Sequence, residues 1–125
     1  MFLGRDDFPG GPWVAAQVKP GMTVAVVGDG AVGLLGILSA KQMGATRIIA
    51  MSGHAPRQRL AREFGATDVV IERGDEGVER IMQLTNRIGA DAVLECVGIQ
   101  QSMMQAIHST RPGGGVGYVG RAARG

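Results

Sequence analysis

The chain has 125 residues, 45% hydrophobic and 19% charged, so it can bury the core of one domain and is not disordered by composition. Its formal net charge of +2 comes from thirteen basic and eleven acidic residues spread along the chain, which excludes the basic face of a nucleic-acid-binding domain. One cysteine and two histidines exclude a disulfide framework and a multi-thiolate zinc site, and no apolar run is long enough to span a membrane.

Residues 1–17 show no periodicity and are predicted to form an N-terminal loop, whereas residues 18–125 hold one domain. The predicted elements, in chain order, are strand 23–28, helix 31–43, strand 47–51, helix 56–64, strand 68–71, helix 75–88, strand 91–97, helix 99–110 and strand 115–119. The first strand (TVAVVG) is apolar on both faces, which is typical of a central parallel strand. Strands that alternate with helices predict parallel pairing through right-handed crossovers.

The apolar side chains of the four helices predict which faces meet the sheet. The residues expected to face the core are Val32, Leu34, Leu35, Ile37, Leu38, Met43, Leu60, Ala61, Phe64, Val78, Ile81, Met82, Thr85, Ile88, Met103, Met104 and Ile107. The fold class that this pattern predicts is α/β, a Rossmann-type doubly wound parallel sheet of about five strands in the order 3-2-1-4-5.

A glycine-rich turn joins the first strand to the first helix. Residues 28–33 read Gly-Asp-Gly-Ala-Val-Gly, which fits G-x-G-x-x-G between a strand and a helix. Gly28 would permit the tight turn, Gly30 would leave room for a diphosphate, and Gly33 would let the helix pack closely on the strand. The free N–H groups at the helix start would then bind the phosphates of a dinucleotide.

The end of the second strand indicates which dinucleotide binds. An acidic residue there would bind both ribose hydroxyls and favour NAD, but this chain has Ser52 at that position and no carboxylate on the turn that follows. Ser52, His54 and Arg57 could instead surround a 2′-phosphate, since serine donates a hydrogen bond and arginine binds phosphate bidentately. The pattern favours NADP over NAD.

Several longer runs resemble the cofactor-binding half of the medium-chain dehydrogenase/reductase family, and most closely its zinc-containing alcohol dehydrogenase branch. The resemblance covers residues 18–120 and is carried by the runs VKPGMTVAVVGDGAVGLLGILSAKQMGATRIIAMS, LAREFGATDVV, GADAVLECVG and RPGGGVGYVG. It implies hydride transfer between NAD(P) and an alcohol or carbonyl.

The resemblance also implies a set of cofactor-binding residues. By position these are Gly28, Asp29, Gly30, Ala31, Val32 and Gly33 in the phosphate turn, Ser52 at the ribose, Val97 and Gly98 beside the adenosine ribose, and Val119 and Gly120 beside the nicotinamide. The family's other lobe and its sixth strand have no counterpart in this sequence, and of its zinc ligands only a third one, which some members place just before this domain, has a candidate counterpart, Asp7. We therefore expect a sheet truncated before a sixth strand, whose exposed edge favours self-association.

Zinc belongs to the full-length family but is not expected in this chain. The candidate ligands are Cys96, His54 and His108, and the predicted topology keeps them apart. His108 lies late in a helix that runs toward the opposite edge of the sheet from Cys96. His54 is two strand spacings, about 9–10 Å, from Cys96. Cys96 is more simply a small buried residue.

The sequence thus predicts the NADP(H)-binding domain of a zinc-type alcohol dehydrogenase that is not catalytic as an isolated chain. The alternative is a stand-alone nucleotide-binding module without catalysis. A methyltransferase-like domain is disfavoured because it would need an acid where Ser52 stands. The expected partner is a nicotinamide dinucleotide, with no nucleic acid and no membrane, and since no secretory leader opens the chain the expected compartment is the cytoplasm.

Overall fold

The computed structural model describes residues 18–118. The predicted loop over residues 1–17 and the candidate site residues Val119 and Gly120 lie outside the described residues. The elements are β1 (Thr23–Val27), α1 (Ala31–Gln42), β2 (Arg47–Met51), α2 (Ala55–Phe64), β3 (Asp68–Val70), α3 (Gly74–Leu84), β4 (Ala90–Glu95), α4 (Gln100–Ser109) and β5 (Thr110–Tyr118).

These elements form one parallel sheet with the strand order β3-β2-β1-β4-β5, which confirms the predicted fold class. β1 lies between β2 and β4, so the crossovers that leave β1 and β3 run to opposite sides of the sheet. In open α/β sheets ligands bind outside the carboxyl ends of the strands where the strand order reverses. A ligand site is therefore expected at the edge of the sheet beyond Val27.

Two apolar layers cover the two faces of the sheet. Val24 and Val26 of β1 pack with Leu34 and Ile37 of α1 on one face. Ala25 and Val27 lie on the other face, in a cluster that includes Ile81 of α3. Because both faces are covered, β1 reads as one continuous apolar run, and its last four residues are at most 4% exposed. None of the helices in residues 18–118 is long and apolar enough to cross a membrane.

Helix α3 ends four residues earlier than the periodicity predicts. Arg47 donates to the carbonyl of Leu84, the last residue of the helix, at 2.6 Å. The Thr85 hydroxyl then donates to the Ile81 carbonyl and accepts from the Gly89 N–H, which closes the turn. Thr85 is therefore a capping residue and not part of the core face.

Strand β5 begins at Thr110, not at 115, and includes Pro112 and the glycines after it. A register shift against β4 between Ala90 and Ala92 accommodates this stretch. Six helix-segment side chains predicted to face the core are exposed, namely Val32, Leu35, Leu60, Ile88, Met104 and Ile107. The expectation that Val32 and Leu35 of α1 face the core is therefore wrong, since the sheet covers only one side of this helix.

Candidate dinucleotide site

Two glycines of the phosphate turn are required by the protein itself. Gly28 has φ +118°, and a methyl group there would lie 3.0 Å from Cγ2 of Val97. A methyl group at Gly33 would overlap the carbonyl oxygen of Gly28. The end of β1 therefore lies close to the segment after β4 only because Gly28 lacks a side chain, and α1 starts close to the end of β1 only because Gly33 lacks one.

Gly30 differs from these two because nothing in the protein requires a glycine there. Its φ of −75° and ψ of −172° are open to any residue, and a methyl group would meet no atom within 4 Å. Gly30 is the N-cap of α1, and no side chain caps this helix. The first N–H groups of α1 therefore face open space, in which a diphosphate can approach bare backbone.

A cleft of about 250 Å³ lies at this edge of the sheet. Its walls come from the segments that follow β1, β2, β3 and β4, together with the start of α4. The residues that line it include Gly28, Asp29, Ser52, His54, Arg73 and Val97. The fold thus brings together predicted site residues that are far apart in the sequence.

Other predicted site residues stand apart from the cleft wall. Arg57 is exposed in the first turn of α2, close enough to Asp29 for its positive charge to help lower the pKa of that carboxyl. Gly98 donates its N–H to the buried carboxylate of Glu95 at 2.6 Å. Ala31 and Val32 are exposed at the start of α1, where their backbone N–H groups lack a carbonyl acceptor within the helix.

Asp29 places a carboxylate at the end of β2. The Ser52 hydroxyl donates to Oδ2 of Asp29 at 2.8 Å, and Nδ1 of His54 lies 2.9 Å from the same oxygen. Burial raises the pKa of Asp29, but the hydrogen bonds from His54 and Ser52 outweigh it, so the pKa lies below its ordinary value. The turn after β2 has no acid of its own, but the neighbouring turn after β1 supplies one.

Arg73 is a cleft residue that the sequence reasoning missed. It is the N-cap of α3, and its guanidinium packs over Gly53, where a methyl group would lie 3.3 Å from Nη2. The Arg73 guanidinium forms no hydrogen bond or ion pair with another residue in 18–118, although the Arg73 carbonyl accepts from the Gly77 N–H. The signal was available, since a cation just after β3 must emerge at the same edge as the ends of β1 and β2.

The described residues do not fit a zinc ion. Within 18–118 no three His, Cys, Asp or Glu side chains converge on one point. Burial, with a smaller contribution from the charge of Glu95, raises the pKa of Cys96 to about 12. The thiol is therefore protonated at neutral pH, whereas a zinc ligand is a thiolate.

Cys96 should consequently react slowly with alkylating reagents. At pH 8 we expect iodoacetamide to modify it about a thousandfold more slowly in the folded protein than in urea, because only the thiolate reacts. Mass spectrometry of quenched samples measures both rates, and the chain has no second cysteine to complicate them. Equal rates in the two states would show that the thiol is neither shielded from the reagent nor raised in pKa by the fold.

Comparison with known proteins places this geometry in a family. Residues 31–125 match the family model described as zinc-binding dehydrogenase. The NADP-dependent isopropanol dehydrogenase of Clostridium beijerinckii is 38% identical over 99 residues, covering 79% of this chain and 28% of that protein. The alcohol dehydrogenase TADH of Thermus sp. ATN1 superposes with a TM-score of 0.82 at 36% identity, covering 94% of this chain and 35% of that one.

A third similar protein was solved with a cofactor. It is a structure described as a zinc-binding dehydrogenase from Sinorhizobium meliloti 1021 bound to NADP, with a TM-score of 0.70 and 32% identity over 83% of this chain and 32% of that one. The chain spans between 28% and 35% of the length of the curated relatives that it matches. It belongs to the zinc-binding dehydrogenase family, within the zinc-type alcohol dehydrogenases, and corresponds to their cofactor-binding part.

Proposed function

We propose that this chain is the NADP(H)-binding part of a zinc-type alcohol dehydrogenase, in which hydride passes between NADP and an alcohol or carbonyl. The observation that carries the proposal is Gly30, a glycine that neither its own backbone conformation nor packing demands, set before uncapped N–H groups. A residue free to carry a side chain, and lacking one where a diphosphate would lie, is best explained by the ligand.

The 2′-phosphate would bind where the ends of β2 and β3 meet. Ser52 and His54 lie on the cleft wall, where both now bond to Asp29, and Arg73 offers a guanidinium that pairs with no carboxylate in the described chain. Arg57 adds positive charge from the first turn of α2. The names of two relatives, the isopropanol dehydrogenases of Clostridium beijerinckii and Entamoeba histolytica, specify NADP and support this choice.

When bound, the nicotinamide ring supplies or accepts the hydride. The residues described here bind and orient the dinucleotide, but they do not enclose the reacting atoms. Val97 and Ile99 stand 40% and 53% exposed at the cleft mouth, so water has free access to it. Hydride transfer needs the substrate held beside the ring with water excluded, and we expect negligible alcohol oxidation by this chain alone.

Removal of either arginine should distinguish the two dinucleotides. We expect Arg57→Ala and Arg73→Ala each to weaken NADPH binding by about tenfold or more, and to leave NADH within about twofold, because only NADPH carries the phosphate that a guanidinium grips. Isothermal titration calorimetry of the unaltered chain and of both variants with each dinucleotide measures the dissociation constants to be compared.

The matched control is Arg59→Ala, which removes the same charge from an exposed position of α2 two residues further along. It should leave both affinities unchanged. If neither Arg57→Ala nor Arg73→Ala weakened NADPH selectively, recognition of the 2′-phosphate would be refuted. If the unaltered chain bound neither dinucleotide, the whole proposed function would fail.

A further inference from the structure

We infer that Asp29 is a specificity-determining residue that opposes the 2′-phosphate of NADP and favours the ribose hydroxyls of NAD. The inference rests on the proposed function, since it assumes that a dinucleotide binds in this cleft. It concerns a residue of the phosphate turn itself, and not the residue at the end of β2 to which ribose recognition is ordinarily assigned.

The strand register brings Asp29 to this position. Val27 of β1 pairs with Met51 of β2, so the two chains leave the sheet side by side. Two residues later the Asp29 side chain crosses to the β2 side and meets Ser52 and His54. Its side chain remains 23% exposed and lies on the cleft wall, so a ligand in the cleft can reach it.

The carboxylate uses the donors that a 2′-phosphate would need. The Ser52 hydroxyl and Nδ1 of His54 both bond to Oδ2 of Asp29. A 2′-phosphate that took either donor would have to displace a carboxylate of its own charge sign. The lowered pKa of Asp29 keeps that charge in place near neutral pH.

A ribose with free hydroxyls is attracted by the same carboxylate, because a hydroxyl can donate a hydrogen bond to it. Oδ1 of Asp29 accepts no hydrogen bond from another residue in 18–118, so it can accept one from a ribose hydroxyl. The guanidinium of Arg73 and the charge of Arg57 act in the other direction and attract a phosphate. The site therefore holds opposing elements, and the unaltered chain should discriminate between the two dinucleotides only modestly.

Asp29→Asn tests the inference because it removes the charge and keeps the shape. We expect NADPH to bind about tenfold more tightly to this variant, and NADH to bind equally or a few-fold more weakly. The measured quantity is the ratio of the two dissociation constants from calorimetric titration, which should shift toward NADPH by about tenfold or more. A merely structural role of Asp29 would weaken both ligands together and leave the ratio unchanged.

Glu63→Gln is the matched control, since it makes the same change in net charge on an exposed position near the end of α2, and its ratio should not move. Asp29→Ser, which also removes the charge but is smaller, should shift the ratio in the same direction. A ratio unchanged within about twofold in both Asp29 variants, with both dinucleotides still bound, would overturn this inference alone. No binding of either dinucleotide to the unaltered chain would overturn the proposed function, and this inference with it.

Discussion

Gly30→Ala should weaken the binding of both NADPH and NADH by about a hundredfold or more while leaving the free energy of unfolding nearly unchanged. The added methyl group would project into the open space before α1, where it meets no protein atom within 4 Å. The methyl group should therefore leave the folded structure unchanged, but it would clash with a diphosphate bound against the same backbone. Both dinucleotides should suffer alike, because the diphosphate is common to them.

The expected stability of this variant follows from two small effects of opposite sign. Replacing a glycine by alanine in an unstrained conformation reduces the conformational entropy of the unfolded chain, which stabilises the folded state by about 0.4–1 kcal/mol. Alanine is also a somewhat poorer N-cap than glycine, which offsets part of that gain. Thermal denaturation should consequently give nearly the same melting temperature as for the unaltered chain.

Gly33→Ala is the informative comparison. A methyl group there would overlap the Gly28 carbonyl, so this variant should lose stability as well as binding. Calorimetric titration and thermal denaturation of the two variants separate a ligand-imposed glycine from a packing-imposed one. Gly30→Ala protein that bound NADPH as tightly as before would remove the main support for a diphosphate on this turn.

The sheet was predictable because its strands obey a simple rule. A parallel strand buried on both faces reads as an uninterrupted apolar run, and residues 24–27 of β1 and 48–51 of β2 each do so. The end of α3 was not predictable, because it depends on the Arg47 side chain, 37 residues away, donating to Leu84. Pro112 within β5 was unexpected for a similar reason: a strand tolerates proline at an edge, and edge position is a property of the whole sheet.

The site shows the same division. Gly28 and Gly33 were identified from their spacing because their role is local, within one strand, one turn and one helix. The carboxylate of Asp29 was assigned only to the phosphate turn, although its hydrogen bonds reach the end of β2. Side-chain direction in a turn depends on the register of neighbouring strands, and that register cannot be read from the turn itself.

Glu95→Ala should lower the free energy of unfolding by about 2–4 kcal/mol. Glu95 ends β4 and is fully buried, and its Oε2 accepts the N–H groups of Val97 and Gly98 at 2.8 and 2.6 Å. These bonds hold the chain as it turns from β4 toward α4. Without the carboxylate, two backbone donors lose their partner and a cavity opens beneath the turn.

Glu95→Gln separates the hydrogen bonds from the charge. Its amide oxygen can accept the same two N–H groups, so this variant should lose less stability than Glu95→Ala. The loss should still be measurable, because the amide nitrogen would then occupy the place of Oε1, a buried atom that has no hydrogen-bond partner in the described chain. Urea unfolding followed by circular dichroism measures the stability of both variants, with Glu79→Ala on the exposed face of α3 as a control that should change little.

Since Val97 lines the cleft, both Glu95 variants should also weaken dinucleotide binding, and the less stable variant should bind more weakly. An alanine variant as stable as the unaltered chain would show that the turn after β4 holds its shape without the buried carboxylate.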